Sequence, residues 1–261
     1  MREINISFSL IKFLFSLPLF LFFSAQLVWG IPDEEIRRMQ GDLRGKHVGE
    51  RIAFWAERFV GTPYDEDPQG AYVSRSVIVA DDKVDCMYLT FRAVELALGH
   101  DPEEAVQIAL QKRFRFRGIL KDGKVMNYDD RFEYGEDMIA SGKWGKEITS
   151  QIGRTIRIQG SRGKDFWKIL PTEELMRKME ILKSGDLLFF MKFPKKRTVD
   201  EGVGHIGIVK VEELAGRRTV YVIHAGGIKN KGGTVKKILL PEYISRMPFV
   251  GVKITRFEES N

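Results

Sequence analysis

One cysteine and four histidines are the scarce reactive side chains of this 261-residue sequence. The cysteine, Cys86, follows Asp85 in "KVDCMYLTF" and opens an apolar run. Asp85 is suited to cap a helix there, which puts Cys86 in the first turn, where unpaired backbone N–H groups and the helix dipole favour a thiolate. A thiolate nucleophile also needs a general base within hydrogen-bond reach. His47 and His100 sit in polar stretches that flank helices and read as solvent-facing. His205 opens "HIGIVKV" and His224 closes "TVYVIH", two runs with the composition of strands.

If those runs form a hairpin closed by a loop from Glu213 to Gly216, with Glu212 opposite Arg217, antiparallel counting sets Val209 against Val220 and His205 against His224. Both imidazoles then share one face. A register slip of two residues preserves this, and a slip of one destroys it. Gly207 beside His205 leaves room for a helix terminus to approach. The resulting site has Cys86 as nucleophile, His205 as base and His224 orienting the first imidazole, with the Cys86 backbone N–H available to an oxyanion. Cys86, His205, His224 and Asp85 could instead ligate a metal. No HxxxH or CxxC spacing supports that, and no metal or other cofactor is expected.

The elements that must position these residues fall in a simple order. Helix-compatible patterns cover residues 33 to 45 and 48 to 60, the second ended by "GTPY". "AYVSRSVIVA" is predicted to be a strand, and the Asp81–Asp82 turn leads into the cysteine helix, expected from Cys86 to Leu98 with Gly99 as its stop. A further helix spans 102 to 111. Residues 112 to 160 lack clean periodicity and read as an insertion with short helices. From residue 184 the runs "SGDLLFFMKF", "GHIGIVKVEE", "TVYVIHAGG", "TVKKILL" and "FVGVKITRF" predict an antiparallel sheet. Helices first and sheet second is an α+β arrangement.

The 43% apolar, 30% charged composition is that of a globular chain with one sizeable core. "FLFSLPLFLFF" is too short and Pro-interrupted for a membrane span, so residues 1–30 read as an export signal with cleavage after Gly30, and no stable membrane insertion is expected afterwards. The remainder, 31–261, is expected to be a single domain and a monomer. A lone cysteine cannot form an intramolecular disulfide, and an unpaired thiol in an exported protein hints at use. Net charge is +6, or +5 once residues 1–30 are removed, with acids and bases interleaved along most of the chain. That pattern points away from nucleic acid and toward carboxylate-rich wall peptides or anionic surfaces.

The ordered set "GTPY", helix-start "DC", "SGDLLFF", "GHIGIV" and "VIHAGG" resembles the NlpC-type cysteine hydrolases of bacterial cell walls, over roughly residues 50 to 255. The resemblance implies a papain-like fold and a periplasmic location. It implies Cys86 as nucleophile, His205 as base and His224 as third polar residue, with Tyr64 and Asp85 lining the substrate site. The middle segment, with "RFRFRG" and "GKVMNYDDRFEYGEDMIASGKW", is similar to the N-acetylmuramoyl-L-alanine amidase-like branch, which implies cleavage of the lactyl–L-alanine amide of a peptidoglycan-derived glycopeptide. Where that branch has Thr, Glu and His, this chain has Tyr88, Phe91 and Glu133. Arg115, Arg117 and Arg131 are candidates for pairing with stem-peptide carboxylates. The alternatives are a stem-peptide endopeptidase cutting between γ-D-Glu and the diamino acid, an acyltransferase, and a noncatalytic wall-binding module.

Overall fold

The computed structural model describes residues 31–228 and 232–259, so the expected export signal lies outside the described residues. Five helices come first: α1 (Asp33–Asp42), α2 (Val48–Arg58), α3 (Ala71–Ser74), α4 (Cys86–Leu98) and α5 (Pro102–Lys112). A small hairpin, β1 (Leu120–Lys121) and β2 (Lys124–Val125), precedes α6 (Gly135–Ser141), β3 (Lys146–Glu147), α7 (Thr149–Ile152), β4 (Ile156–Gln159), β5 (Phe166–Pro171) and α8 (Thr172–Arg177). The chain finishes with β6 (Leu187–Lys192), β7 (Val203–Leu214), β8 (Arg217–Ile228), β9 (Gly232–Leu239), α9 (Leu240–Arg246) and β10 (Phe249–Arg256). The main sheet has the order β4-β5-β10-β6-β7-β8-β9, with β3 also paired to β10, and all its pairings are antiparallel. The architecture is α+β.

Helices cover both faces of this sheet. Ile206, Ile208, Ile223, Ala225 and Val235 pack with α1, α2, α4 and α5, whereas Phe190, Val209, Val222, Leu240 and Tyr243 form a second core on the other face. Strand alternation sorts β8 in this way, with Ile223 and Ala225 on the first face and Val222 on the second. Among the described residues no helix is long and apolar enough to cross a membrane.

Three expectations are corrected. Residues 71–80 are not a strand. The Asp65 carboxylate accepts from the Ala71 N–H, Gly70 takes a positive φ of 87°, and the chain makes the short helix α3 before turning at Ser76. Local side-chain capping thus overrides the β-branched composition. The β7–β8 register is Leu214 opposite Arg217 and Val209 opposite Val222, two residues from the expected pairing. The turn is only Ala215–Gly216, with φ of 50° and 74°, the twist-compatible two-residue form. Lastly, the space at Gly207 faces Val222 and Phe190 rather than a helix terminus, and a Cβ there would lie 2.4 Å from Val222 Cγ2.

Ala215 bears a left-handed backbone that costs an L-residue with a Cβ about 1 kcal/mol. Ala215→Gly is therefore expected to raise stability by about 0.5–1 kcal/mol, read as a higher urea midpoint at unchanged slope. A lower midpoint would show that the turn is not the one described.

Candidate active site

Cys86 owes its position to the start of α4. Asp85 caps the helix, its carboxylate accepting from the Tyr88 N–H at 2.6 Å, so that carboxylate is already engaged in holding the helix end. Gly99 ends the helix, and a Cβ there would lie 2.9 Å from the Ala105 nitrogen, so α5 can turn back tightly. Ten of the thirteen α4 residues are buried, which leaves the helix little freedom to shift. Two of the ten are the charged residues Arg92 and Glu95. Arg92 makes a two-pronged pair with Asp81 at 2.9 Å, and Glu95 a two-pronged pair with Arg113 at 2.6 and 2.7 Å. Tyr88 donates its hydroxyl to Asp81, and the Arg113 guanidinium lies against Tyr72, Tyr88 and Phe91.

His205 and His224 are hydrogen-bonded, Nε2 of the first to Nδ1 of the second at 3.0 Å. The slip of two residues preserved their common face. A bulge at Gly204, where Phe190 pairs with His205 but Met191 with Val203, interrupts the alternation of β7. It leaves Val203 in the helix-side core while the His205 ring packs near Phe190 and Tyr243 on the other side. Bulges of this kind re-aim side chains beside functional sites. A Cβ at Gly204 would meet Lys192 and Phe249 at 2.8–2.9 Å, so the extra residue is a glycine for steric reasons.

The half-buried Cys86 reaches the same point of β7 from the helix side. The Ile206 backbone N–H, next in sequence to His205, acts on the thiol together with the N–H groups of Cys86 and Met87. Tyr243 links the two sides, with ring centroids 4.6 Å from His224 and 6.1 Å from His205 and a hydroxyl that feels the charge of Cys86. Tyr64 lies across β8, where a Cβ on Gly227 would come within 2.4 Å of its ring. Desolvation, then the charges of Cys86 and Asp85, push the Tyr64 phenol up to about 12. Neither Tyr243 nor its helix carried any chemical signal in the sequence.

Electrostatics correct the expectation of a resting thiolate. Desolvation first, then the Asp85 charge, push the Cys86 thiol up to about 12, outweighing the backbone N–H groups at the helix start. Desolvation lowers His205 to about 3, with the neighbouring His224 adding to it, and desolvation with the Lys236 charge lowers His224 to about 4. The resting site is neutral. An isolated thiolate or imidazolium is therefore disfavoured here, whereas an opposite pair of charges about 4 Å apart in a moderately polar environment would gain about 4 kcal/mol of mutual attraction.

This has a measurable consequence for folding. Both imidazoles stay neutral in the fold but titrate near 6.5 when unfolded, so the unfolded chain binds more protons as the pH falls from 6.5 toward 3–4. Their contribution is intact above that window and lost through it. Asp85, raised by desolvation from 3.8 to about 6, acts oppositely: its contribution is present below 3.8 and lost as the pH rises through about 6. Two groups outweigh one. The urea midpoint is expected to drop between pH 6.5 and 4, and to drop less in His224→Gln; an equal drop in that variant would contradict the assignment.

The three candidate arginines have other described surroundings. Arg115 and Arg117 are exposed beyond α5, Arg117 donating to Gln107, while Arg131 is turned back onto the Tyr128 carbonyl and Glu133. The described side-chain partners of Arg117 and Arg131, namely Gln107, the Tyr128 carbonyl and Glu133, are not members of the cysteine–histidine group. Tyr88 and Phe91 serve packing, the latter against Trp144. His47 caps α2 and His100 pairs with Glu104 at the surface. Among the described residues no three His, Cys, Asp or Glu side chains gather as a metal site requires.

No family model and no curated protein matches the sequence. Solved structures do match. A crystal structure of an N-acetylmuramoyl-L-alanine amidase from Bacteroides uniformis aligns with a TM-score of 0.61 and 18% identity over 81% of this chain and 99% of that one. A Legionella pneumophila protein of the family model DUF1460 aligns with a TM-score of 0.66 and 14% identity over 87% of this chain and 94% of that one. At these identities the likeness establishes a shared fold.

Proposed function

We propose that this chain is an exported cysteine hydrolase of peptidoglycan fragments, an N-acetylmuramoyl-L-alanine amidase acting from one domain, residues 31–261. The observation that carries the reading is the hydrogen-bonded imidazole pair next to the strand residue that meets a helix-start thiol. The shared fold with a Bacteroides uniformis amidase supports the choice of substrate. The apolar, Pro-interrupted N-terminus supports export, with the periplasm as destination.

In the proposed reaction His205 Nδ1, which has no hydrogen-bond partner among the described residues, takes the Cys86 proton as the sulfur attacks the lactyl carbonyl. His224 holds the other side of the imidazole and spreads the charge it acquires. The oxyanion meets the backbone N–H of Cys86, a contact of the kind that stabilises such intermediates by about 3–4 kcal/mol. Collapse breaks the C–N bond, His205 returns the proton to the alanine amine, and a muramoyl thioester remains on Cys86. Water, deprotonated by His205, then hydrolyses it to the free lactyl acid and restores the thiol. No step calls for a cofactor.

Weighing the products of a defined muropeptide tests this reading. An intact stem peptide beginning with L-alanine is expected. A shortened glycopeptide would move the cut to the endopeptidase position, and unchanged substrate would leave a wall-binding module.

A further inference from the structure

A cleft of about 340 Å³ opens beside His224, between β8, β9 and the end of α9. Its floor is backbone, because Gly226, Gly227, Gly232 and Gly233 carry no side chains, and a Cβ on Gly226 would stand 3.0 Å from His224 Cε1. Ile238 and Met247 supply apolar wall, and Lys236 and Arg246 are the charged residues lining it. Lys236 stands directly opposite His224 in the β8–β9 register, on the same face, and makes no ion pair among the described residues. Arg246, one turn beyond Tyr243, is shared with Glu242 at 2.8 Å.

Two buried polar atoms at this cleft have no hydrogen-bond partner among the described residues: His224 Nε2 and the Tyr243 hydroxyl. The proposed role of His205 as base sets the sense of the first. For His205 Nδ1 to accept a proton, its Nε2 must carry one and donate to His224 Nδ1, so His224 bears its own proton on Nε2. Burying such groups without a partner costs a few kcal/mol, so a ligand that satisfies them is favoured. The lining therefore offers an ammonium and a guanidinium and no carboxylate, with an imidazole N–H and a phenol O–H buried in two of its residues.

We propose that this cleft is an anion subsite, in which Lys236, Tyr243 and the Nε2–H of His224 hold a carboxylate of the substrate peptide and Arg246 attracts it at the rim. The identity of the ligand and the donor sense of His224 Nε2 rest on the hydrolase reading; the preference for an anion, which Lys236 and Arg246 supply, does not. A carboxylate on His224 also favours positive charge along the His224–His205 pair, so the substrate itself helps its base to accept the thiol proton. Burial depresses both imidazoles, with Lys236 adding to it at His224 and His224 adding to it at His205, and a bound anion offsets the Lys236 contribution.

Calorimetry on a Cys86→Ser protein tests the subsite, using N-acetylmuramoyl-L-alanyl-D-glutamic acid and the same compound with both glutamyl carboxylates converted to carboxamides. The acid is expected to bind about tenfold more tightly, and Lys236→Met with Arg246→Met to erase the preference, since both side chains are exposed and their loss spares the fold. Equal affinities, no binding of either compound, or a preference that survives both substitutions overturns the proposal. Turnover of the two compounds by the unaltered protein reads separately: hydrolysis without charge preference removes the subsite alone, and charge-selective binding without hydrolysis removes the hydrolase alone.

Discussion

Arg113→Met is expected to destabilise the protein by about 3 kcal/mol or more, because it removes both hydrogen-bonded contacts of Glu95 in a fully buried site and leaves only Arg92, at 3.7 Å, beside that carboxylate. Arg113 also donates to the Ile78 carbonyl, which would lose its partner at the same time. The double replacement Glu95→Leu with Arg113→Met should recover at least half of that loss, since the penalty comes from stranding one charge rather than from removing the pair. Urea unfolding of the two variants measures both. A double variant no better than the single one would mean that shape, not charge, governs the site. The result bears on function because Glu95 and Arg92 stand on α4, the helix that carries Cys86 at its start. Anchoring its middle with two charged pairs fixes where its first turn meets β7.

Replacing His205 by Ala is expected to lower turnover by about 10³-fold or more with little change in substrate affinity, because it removes the proposed acceptor for the proton of a thiol pushed up to about 12. His224→Ala should cost less, since it removes the partner that orients and shares charge rather than the acceptor itself. Activity against pH should hold its plateau on the acid side well below 6.5, where an exposed histidine would already be protonated, because burial keeps His205 neutral down to about 3. A profile falling with a midpoint near 6.5 would indicate that the imidazole is not the buried one described.

Much of the site's scaffold was legible in the sequence because its signals are local. Asp85 before an apolar run and Gly99 after it bracket α4 as expected, and β-branched runs mark β7 and β8. What the sequence hid is what depends on distant partners. Glu212 and Arg217 suggested a cross-strand pair, but Glu212 pairs with Lys237 of β9, which also meets Glu57 of α2. "LAGR" lacks the Asn-Gly or Asp-Gly sign of a two-residue turn, so the strand ends were set too short. Strand β4 pairs with β5, and β5 in turn with β10, a long-range arrangement that "IRIQ" and "FWKILP" alone do not reveal.

The charged residues Asp81, Arg92, Glu95 and Arg113 look like surface in any composition count, yet all four are buried. Their burial follows from pairing with one another, which no local pattern encodes. The same reason concealed Tyr243 and Lys236, which reach His224 only through the packing of α9 and the register of β9. The helix-dipole argument for a thiolate failed on a related point: it weighs the first turn alone, whereas the surrounding core and the Asp85 charge decide the outcome.

The sulfur of Cys86 as attacking atom is the claim on which the rest depends, and intact-protein mass spectrometry after rapid mixing with a muropeptide and acid quench addresses it most directly. A transient mass increase equal to the muramoyl acyl group, mapping to the peptide that contains Cys86 and absent from Cys86→Ser, is the predicted result. Product formed at an undiminished rate by Cys86→Ser, with no adduct at any time in the unaltered protein, would contradict it.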